Sequence, residues 1–374
     1  MELAKSTGES LVEHSQRVSN LAVSLFDILE WNESDPNGKE RIRERIRKAS
    51  LLHDIGKVVK AFQKSLKINE SKKGVHFHHE IGWAFLSNHT TLDEIVLDGV
   101  YWHHGINNKM SSYTDVEVLN NKKNKITDKD ILSMRDFVIN VGLGEYLRDL
   151  EDVEYCSSVK SPCYWEKDDK TNKAIGKQKS FTRAYVISAD RFISSVGYPE
   201  INGESPLKMV EDIISCGDIS LGENKYKGER FNNQLAIAKA GEEGTAIFNA
   251  PAGFGKTVVG LLWWLQGKGR KLIWVAPRNA VATSLYYNSI KNDIASLGID
   301  CSVELYLGGS VIESTHNSVG FDSDIIITNI DNFSQPSLDN STMDRLYMIY
   351  QCDVIFDEYH EFCQGGNALY ACFI

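Results

Sequence analysis

Near residue 230 the hydrophobic period of this 374-residue chain changes, and that change decides its architecture. Before it, apolar residues recur at helical spacing. LVEHSQRVSNLAVSLFDILEW (11 to 31) places Leu11, Val18, Ala22, Leu25 and Leu29 on one face, and His14 shares that face. A second helix is expected from about Glu40 through Lys57, where Ile42, Ile46, Ala49 and His53 align, and Gly56 should end it. Helices follow at 78 to 89, at 95 to 105 with Gly105 as C-cap, and at 183 to 198, interrupted by polar loops at about 106 to 130 and 156 to 180. In the last helix Asp190 lies at three-residue spacing from Ile187 and Ile193, so a carboxylate sits among apolar side chains. Buried without a partner it would cost several kcal/mol, and it therefore calls for a cation.

The stretch 199 to 230, with Pro199, Gly203, Pro206, Gly217, Gly222 and Gly228, loses the helical period and holds the expected boundary, giving domains 1–222 and 223–374. Beyond it, TAIFNAP (245 to 251), KLIWVAP (271 to 277), VELYL (303 to 307), DIIITNI (324 to 330) and DVIFDE (353 to 358) are short apolar runs, mostly separated by helix-length segments. That is the pattern of a sheet covered on both faces. The fold class expected is multidomain: an all-α bundle, then an α/β lobe with a mostly parallel sheet.

No apolar run approaches the roughly 20 residues that span a bilayer, and the N-terminus lacks the basic-then-apolar layout of a secretory signal. A cytoplasmic location and no membrane partner are expected. The seven cysteines (156, 163, 216, 301, 352, 363, 372) are odd in number and never spaced CxxC, which suggests neither a disulfide framework nor a structural zinc site. The net charge of −10 does not exclude nucleic acid, because local stripes matter more than the sum. KERIRERIRK (39 to 48) is the densest basic stripe; it reads as a solvated helix face, with phosphate tracking as the alternative.

Against this scaffold, His14, His53, Asp54, His79, His103, His104 and Asp190 stand on stretches that read as helix, in an order suited to a two-metal site. Imidazoles and carboxylates together suit borderline divalent metals such as Mn²⁺, Fe²⁺, Co²⁺ or Ni²⁺, and an Asp in the position of Asp54 can bridge two ions roughly 3.5 to 4 Å apart. Such a site cleaves phosphate esters without a covalent intermediate, and Lys57, one turn beyond His53, could reach the scissile phosphate or the leaving oxygen. His76, His78 and His89 have no place in this pattern and read as structural or loop residues, His78 least securely because it adjoins His79.

In the second half, FNAPAGFGKTVVG (248 to 260) departs from the phosphate-loop pattern GxxxxGK[ST] only in having Ala250 for the first glycine. Ala252, Gly253 and Gly255 would wrap the phosphates of ATP, Lys256 would add charge at the β and γ phosphates, and Thr257 would offer its hydroxyl to Mg²⁺. VIFDEYH (354 to 360) ends a strand with Asp357, a ligand for Mg²⁺, and Glu358, which would polarise the attacking water.

The order LVEHSQRVSNLA, LLHDIGK with FQK, HHEIG, YWHHG, SADR, APAGFGKT and DEYH covers nearly the whole length. It resembles the CRISPR-associated nuclease-helicases of type I interference, in which an HD nuclease is fused to a superfamily 2 helicase core. The resemblance implies one metal held by His14, His53, Asp54 and Asp190 and a second by Asp54, His79, His103 and His104. It makes Asp54, Lys57 and Glu358 catalytic and Gln234, in RFNNQLAIA (230 to 238), the adenine reader. APRNAVA (276 to 282) and TNIDNF (328 to 333) resemble motifs that grip single-stranded DNA, through Arg278, Thr328 and Asp331; sheet packing is the alternative for each residue. The implied partners are single-stranded DNA and a type I RNA-guided effector complex. Tyr359 departs from the small residue usual in the DEAH-type box.

The chain stops at Ile374, and a superfamily 2 motor needs a second lobe for its arginine finger, worth about 10³ to 10⁵ in turnover. The expectation is a fragment with a complete nuclease site and a silent motor. Two other readings stay open: a phosphohydrolase of nucleotides or dinucleotides, and a non-catalytic module that binds DNA or the effector complex.

Overall fold

The computed structural model describes residues 3–4, 8–28, 36–68, 78–104, 114–120, 126–150, 170–196, 215–216, 219–241, 245–251, 253–267, 269–318, 320–338, 349, 351–358 and 361. It divides into two compact units, Met1–Leu207 with Asp339–Tyr347 and Lys208–Leu338 with Met348–Ile374. The division falls at 207/208 rather than the expected 222/223. Cys216 explains the difference, since it packs into the core of the second unit and its N–H donates to the Gly269 carbonyl at 2.8 Å.

The first unit is helical: α1 (Leu11–Asp27), α2 (Pro36–Leu52), α3 (Lys60–Ile68), α4 (His78–His89), α5 (Glu94–Trp102), α6 (Asp115–Asn120), α7 (Asp128–Asn140) and α8 (Lys170–Val196). Local chemistry sets several of the starts. Ser10 and Glu13 form a capping box on α1, and Asp93 caps α5 by accepting from Ile95 N and Val96 N. Asp130 serves two helices at once: it completes the capping box of α7 with Thr127 and accepts the Lys60 N–H at the head of α3 at 2.9 Å.

Several boundaries differ from the sequence reading. Helix α2 ends at Leu52, before His53, and the chain turns through His53–Asp54 into a 3₁₀ turn, Ile55–Val58. Helix α5 ends at Trp102 with His103 as its C-cap; Gly105 lies outside the described residues. The stretches expected as polar loops contain α6, the first residues of α7 and the start of α8; α7 forms because Met134, Phe137 and Val138 supply a buried face.

Two glycines bring the 3₁₀ turn against α4. A Cβ on Gly56 would stand 2.0 Å from the His78 carbonyl oxygen, and one on Gly82 would meet Ile55 Cγ2 at 2.9 Å. Helix α5 is fixed to α8 by a buried two-pronged pair, Arg183 Nε to Asp98 Oδ2 at 2.5 Å and Nη2 to Oδ1 at 2.6 Å. The basic stripe on α2 is engaged within the unit: Arg43 pairs with Asp27, Arg45 with Asp93, and Arg47 and Lys48 with Glu44.

The second unit carries α9 (Glu229–Ala240), α10 (Lys256–Trp264), α11 (Asn279–Ser284), a π-helical turn (Leu285–Ile290), α12 (Lys291–Leu297) and α13 (Ile330–Leu338) around a sheet. The strands are β1 (Leu272–Ala276), β2 (Val303–Leu307), β3 (Ser310–Ser314), β4 (Ile325–Asn329) and β5 (Asp353–Phe356), in the order β3-β2-β4-β1-β5. All pairings are parallel except β2 with β3. β1, β2 and β4 are buried at every position, as strands covered on both faces must be. The expected strand at 245–251 forms no regular secondary structure and pairs with no strand among the described residues, and Ile247 is 81 % exposed. Its apolar alternation lacks the ladder that would make it a strand.

Gly56→Ala should cost about 3 kcal/mol or more in thermal or denaturant unfolding, because the new Cβ meets backbone that cannot move away cheaply. His89 is buried beside Phe85 with neither ring nitrogen hydrogen-bonded among the described residues, and burial, with Arg135 and Arg148 nearby, lowers its pKa to about 4. The unfolded chain takes up this proton near 6.5, the folded chain only near 4, so stability falls as pH drops between those values, by about 3 kcal/mol from this residue. His89→Leu should flatten the loss of Tm between pH 7 and pH 4.5; an unchanged slope would assign the acid sensitivity elsewhere.

Candidate metal centre and phosphate loop

Asp54 is fully buried in the turn that follows α2. Around it, His14 arrives from the first turn of α1, His53 from the C-terminal end of α2, His78 from the head of α4, His103 and His104 from the end of α5, and Asp190 from α8. His14 Nε2 lies 3.6 Å from Asp54 Oδ2 and 3.2 Å from Asp190 Oδ1; His53 Nε2 lies 3.4 Å from Asp54 Oδ2 and 3.7 Å from Asp190 Oδ1. On the other side of the carboxylate, His78 Nε2 stands 3.0 Å and His103 Nε2 3.7 Å from Asp54 Oδ1. The Lys57 ammonium pairs with Asp54 Oδ2.

Helix ends aim two of these rings. His53 Nδ1 faces the Ser50 carbonyl at 2.7 Å and His103 Nδ1 the Val100 carbonyl at 2.6 Å, each three residues back in a helix whose last carbonyls lack intrahelical donors. With Nδ1–H donating there, Nε2 is the nitrogen that faces Asp54, and it is a lone-pair donor whenever the ring is neutral.

Donor atoms within 4.8 Å of one another form two groups among the described residues, His14 with His53 and Asp54, and His78 with His103 and His104. His78 therefore holds the place expected of His79. The His79 ring stands beside the second group, 6.0 Å from that of His103, and packs edge-on against Tyr101 at 5.8 Å. The signal for His78 was its spacing from Gly82. Gly82 faces Ile55 and the turn, and the residue four positions earlier on a helix shares that face.

Burial opposes charge throughout the cluster, and the carboxylates decide where it is overcome. Asp54 and Asp190 outweigh burial at His53, whose pKa rises to about 10, and Asp190 and Glu9 do so at His14, which is also raised. In the other group burial dominates and neighbouring imidazoles add to it: His78 falls to about 4, His104 to about 2, and His79 and His103 are also lowered. Burial would raise Asp54, but Lys57 and His53 hold it well below the usual carboxylate range. His53 Nε2 and Asp54 Oδ1 are buried without a completed hydrogen bond, at the point where the other imidazoles converge. This donor set fits divalent transition metals.

In the second unit Gly253 (φ 76°) and Gly255 (φ 91°) take the left-handed turns of the loop before α10, and Lys256 and Thr257 open that helix with no side chain capping its first N–H groups. Lys256 Nζ lies 3.4 Å from Glu358 Oε1. Asp357 follows β5, and burial together with Glu358 raises its pKa. Gln234 is buried, and its amide donates to the Phe254 carbonyl at 2.8 Å, so it braces the loop. Ala252, Tyr359 and His360 lie outside the described residues. Arg278 is exposed and pairs with Glu361, and Asp331 is exposed on α13. Thr328, expected to touch DNA, is instead fully buried in β4, its hydroxyl donating to the Tyr306 carbonyl at 2.8 Å.

The HD domain family matches residues 11–135, and the DEAD/DEAH box helicase family matches 232–370. An HD domain thus precedes a DEAD/DEAH box helicase domain, and the fold is similar to that of solved Cas3 structures. The crystal structure of T. fusca Cas3 superposes with a TM-score of 0.55 at 15% identity, covering 96% of this chain and 46% of that one. T. fusca Cas3 with AMPPNP gives 0.52 at 16%, covering 96% and 46%, and T. fusca Cas3 with ATP gives 0.52 at 16%, covering 94% and 45%. The chain thus spans about half the length of the structures it matches. No curated protein sequence matches it significantly. Among the described residues no helix is long and apolar enough to cross a membrane.

The geometry separates the two adjacent histidines of α4. After loading with Mn²⁺, His78→Ala should retain one ion fewer than the wild type in metal analysis, and His79→Ala should retain as many. The opposite pattern would return the ligand role to His79.

Proposed function

We propose that the chain is a metal-dependent nuclease of CRISPR antiviral defence that degrades single-stranded DNA in the cytoplasm, coupled in the full protein to ATP-driven movement along that strand. The observation that carries this reading is the convergence on one buried carboxylate, Asp54, of imidazoles from both sides. In it, His14, His53, Asp54 and Asp190 would hold one divalent transition metal, and Asp54, His78, His103 and His104 would hold the second. Bound there, the ions would supply Lewis acidity and an activated water.

Cleavage adds the elements of water across one P–O bond and leaves a phosphate and a hydroxyl end. Lys57, beside Asp54 and only partly buried, would neutralise the scissile phosphate or the leaving oxygen. The imidazoles that burial keeps neutral are lone-pair donors at neutral pH, as ligands must be. In the second unit the N–H groups heading α10, with Lys256 and Thr257, would take the phosphates of ATP and its Mg²⁺, held also through Asp357, while Glu358 orients water. Exposed Arg278 and Asp331 are the residues of the proposed DNA track that a strand could touch. A helicase domain in the same chain favours a polymeric substrate over a free nucleotide. A type I RNA-guided effector complex, which exposes single-stranded DNA, is the partner this function requires.

Metal-stripped protein should leave circular single-stranded DNA intact and linearise then degrade it once Mn²⁺ or Ni²⁺ is added. Asp54→Ala should remove at least about 10³-fold of that rate, because both ions lose their shared ligand. Hydrolysis of dNTPs without cleavage of the circle would support the small-molecule phosphohydrolase reading. Binding without any hydrolysis would support the non-catalytic one.

A further inference from the structure

His14 differs from His53 and His103 in what stands behind it. Those two rings lean on backbone carbonyls of their own helices, whereas His14 Nδ1 lies 3.2 Å from the Glu9 Oε2 carboxylate oxygen. Glu9 is 1 % exposed. Its other oxygen accepts from Arg17 Nη1 at 2.9 Å, so the charge is compensated from one side and directed at His14 from the other. Among the described residues neither Oε2 nor His14 Nδ1 completes a hydrogen bond, and the two buried atoms face each other.

The segment that carries Glu9 is itself tied to the metal centre. Leu3 and Ser10 form an antiparallel bridge, and Ala4 N–H donates to the Glu9 carbonyl at 2.9 Å. Gln63, on α3, accepts from Leu3 N–H at 2.9 Å and donates to the Leu3 carbonyl at 2.9 Å and to the Lys57 carbonyl at 2.8 Å. One side chain thus clips the N-terminal strap to the turn that bears Asp54. Arg17 serves one oxygen of this buried carboxylate, and the strap holds the other facing a ring nitrogen.

We propose that Glu9 is a positioning residue for the metal centre. It takes the Nδ1–H of His14, selects the tautomer whose Nε2 lone pair faces Asp54 and Asp190, and strengthens that imidazole as a ligand, with Gln63 holding the strap that delivers it. Removal of such a partner behind a ligating histidine typically weakens metal binding about 10- to 100-fold. The inference rests on His14 being a ligand, as proposed above.

The test is calorimetric titration of the metal-free full chain with Mn²⁺, alongside its metal-free Tm, for the wild type, Glu9→Gln and Glu9→Leu. Glu9→Leu should weaken one of the two ions by about 10- to 100-fold and leave the other within about twofold. Glu9→Gln, whose amide oxygen still accepts from Nδ1–H, should recover most of the loss. Should Glu9→Leu fail to fold, Glu9→Ala decides the matter: a weakening confined to one ion supports the role, and unchanged affinities at both overturn it. Two ions bound as tightly in Glu9→Leu as in the wild type would overturn the role of Glu9 and leave the ligand set intact. A wild type that binds no Mn²⁺ would overturn the ligand set and this inference with it.

Discussion

A carboxylate with no access to water governs the first unit. Transferring Asp54 to its position costs several kcal/mol, and deleting any one of its partners would leave that cost uncompensated. The answer of the fold is to surround it with an ammonium and imidazoles: Lys57 from the same turn, His53 from the preceding residue, His14 from α1, His78 from α4 and His103 from α5. Residues 89 positions apart, His14 and His103, become neighbours of one oxygen pair. A bundle with the same core but without these groups would be more stable with an apolar residue at position 54. The site is therefore a stability liability, and the rest of the unit is arranged to carry it.

Two contacts do most of that carrying. The Gly56–Gly82 approach lets α4 reach the turn, since any side chain at either position would push His78 away from Asp54. The Arg183–Asp98 pair fixes α5 against α8 five residues before His103 and seven before Asp190, so these two residues at opposite sides of Asp54 share one anchor. Both partners are buried, and the doubled geometry is what makes such a pair worth its desolvation. The anchor acts on direction as well as distance: it sets the rotation of α8 about its axis, and with it which face presents Asp190.

The sequence made the order of the two units, the parallel sheet and most of the converging side chains legible, because ligands of a buried centre must sit on inward faces that periodicity reveals. Its errors lie where periodicity carries no information. The ends of α2 and α5 were placed too late because His53 and His103 continue the helical spacing while already turning out of it, each ring held by a carbonyl of the final turn. The choice between His78 and His79 depended on a glycine contact with another segment. Helix α7 hides in a polar stretch because its buried face is only Met134, Phe137 and Val138, flanked by charges. At 245–251 the pattern was that of a strand, but pairing is a property of two segments, and a single one cannot supply it. β3 was missed for the converse reason: SVIES is short and mostly exposed, and it becomes a strand by pairing antiparallel with β2.

The two halves of the candidate centre are chemically unequal, and the inequality follows from which helices supply them. α1, the end of α2 and α8 bring two imidazoles with Asp190 beside the shared Asp54, and there negative charge wins over burial, so that His14 and His53 hold protons tightly. α4 and α5 bring imidazoles and no carboxylate of their own, and there burial wins, so that His78 and His104 stay neutral well below pH 7. A cation entering the first half gains from two negative charges but must displace protons; a cation entering the second meets ready lone pairs but only one shared charge. Oxygen-rich surroundings tolerate harder ions and imidazole-rich ones favour borderline ions. Asp54, common to both, couples the halves, because a charge bound on one of its oxygens lowers the attraction the other can offer. The asymmetry is thus a property of the helix arrangement, present before any ion arrives.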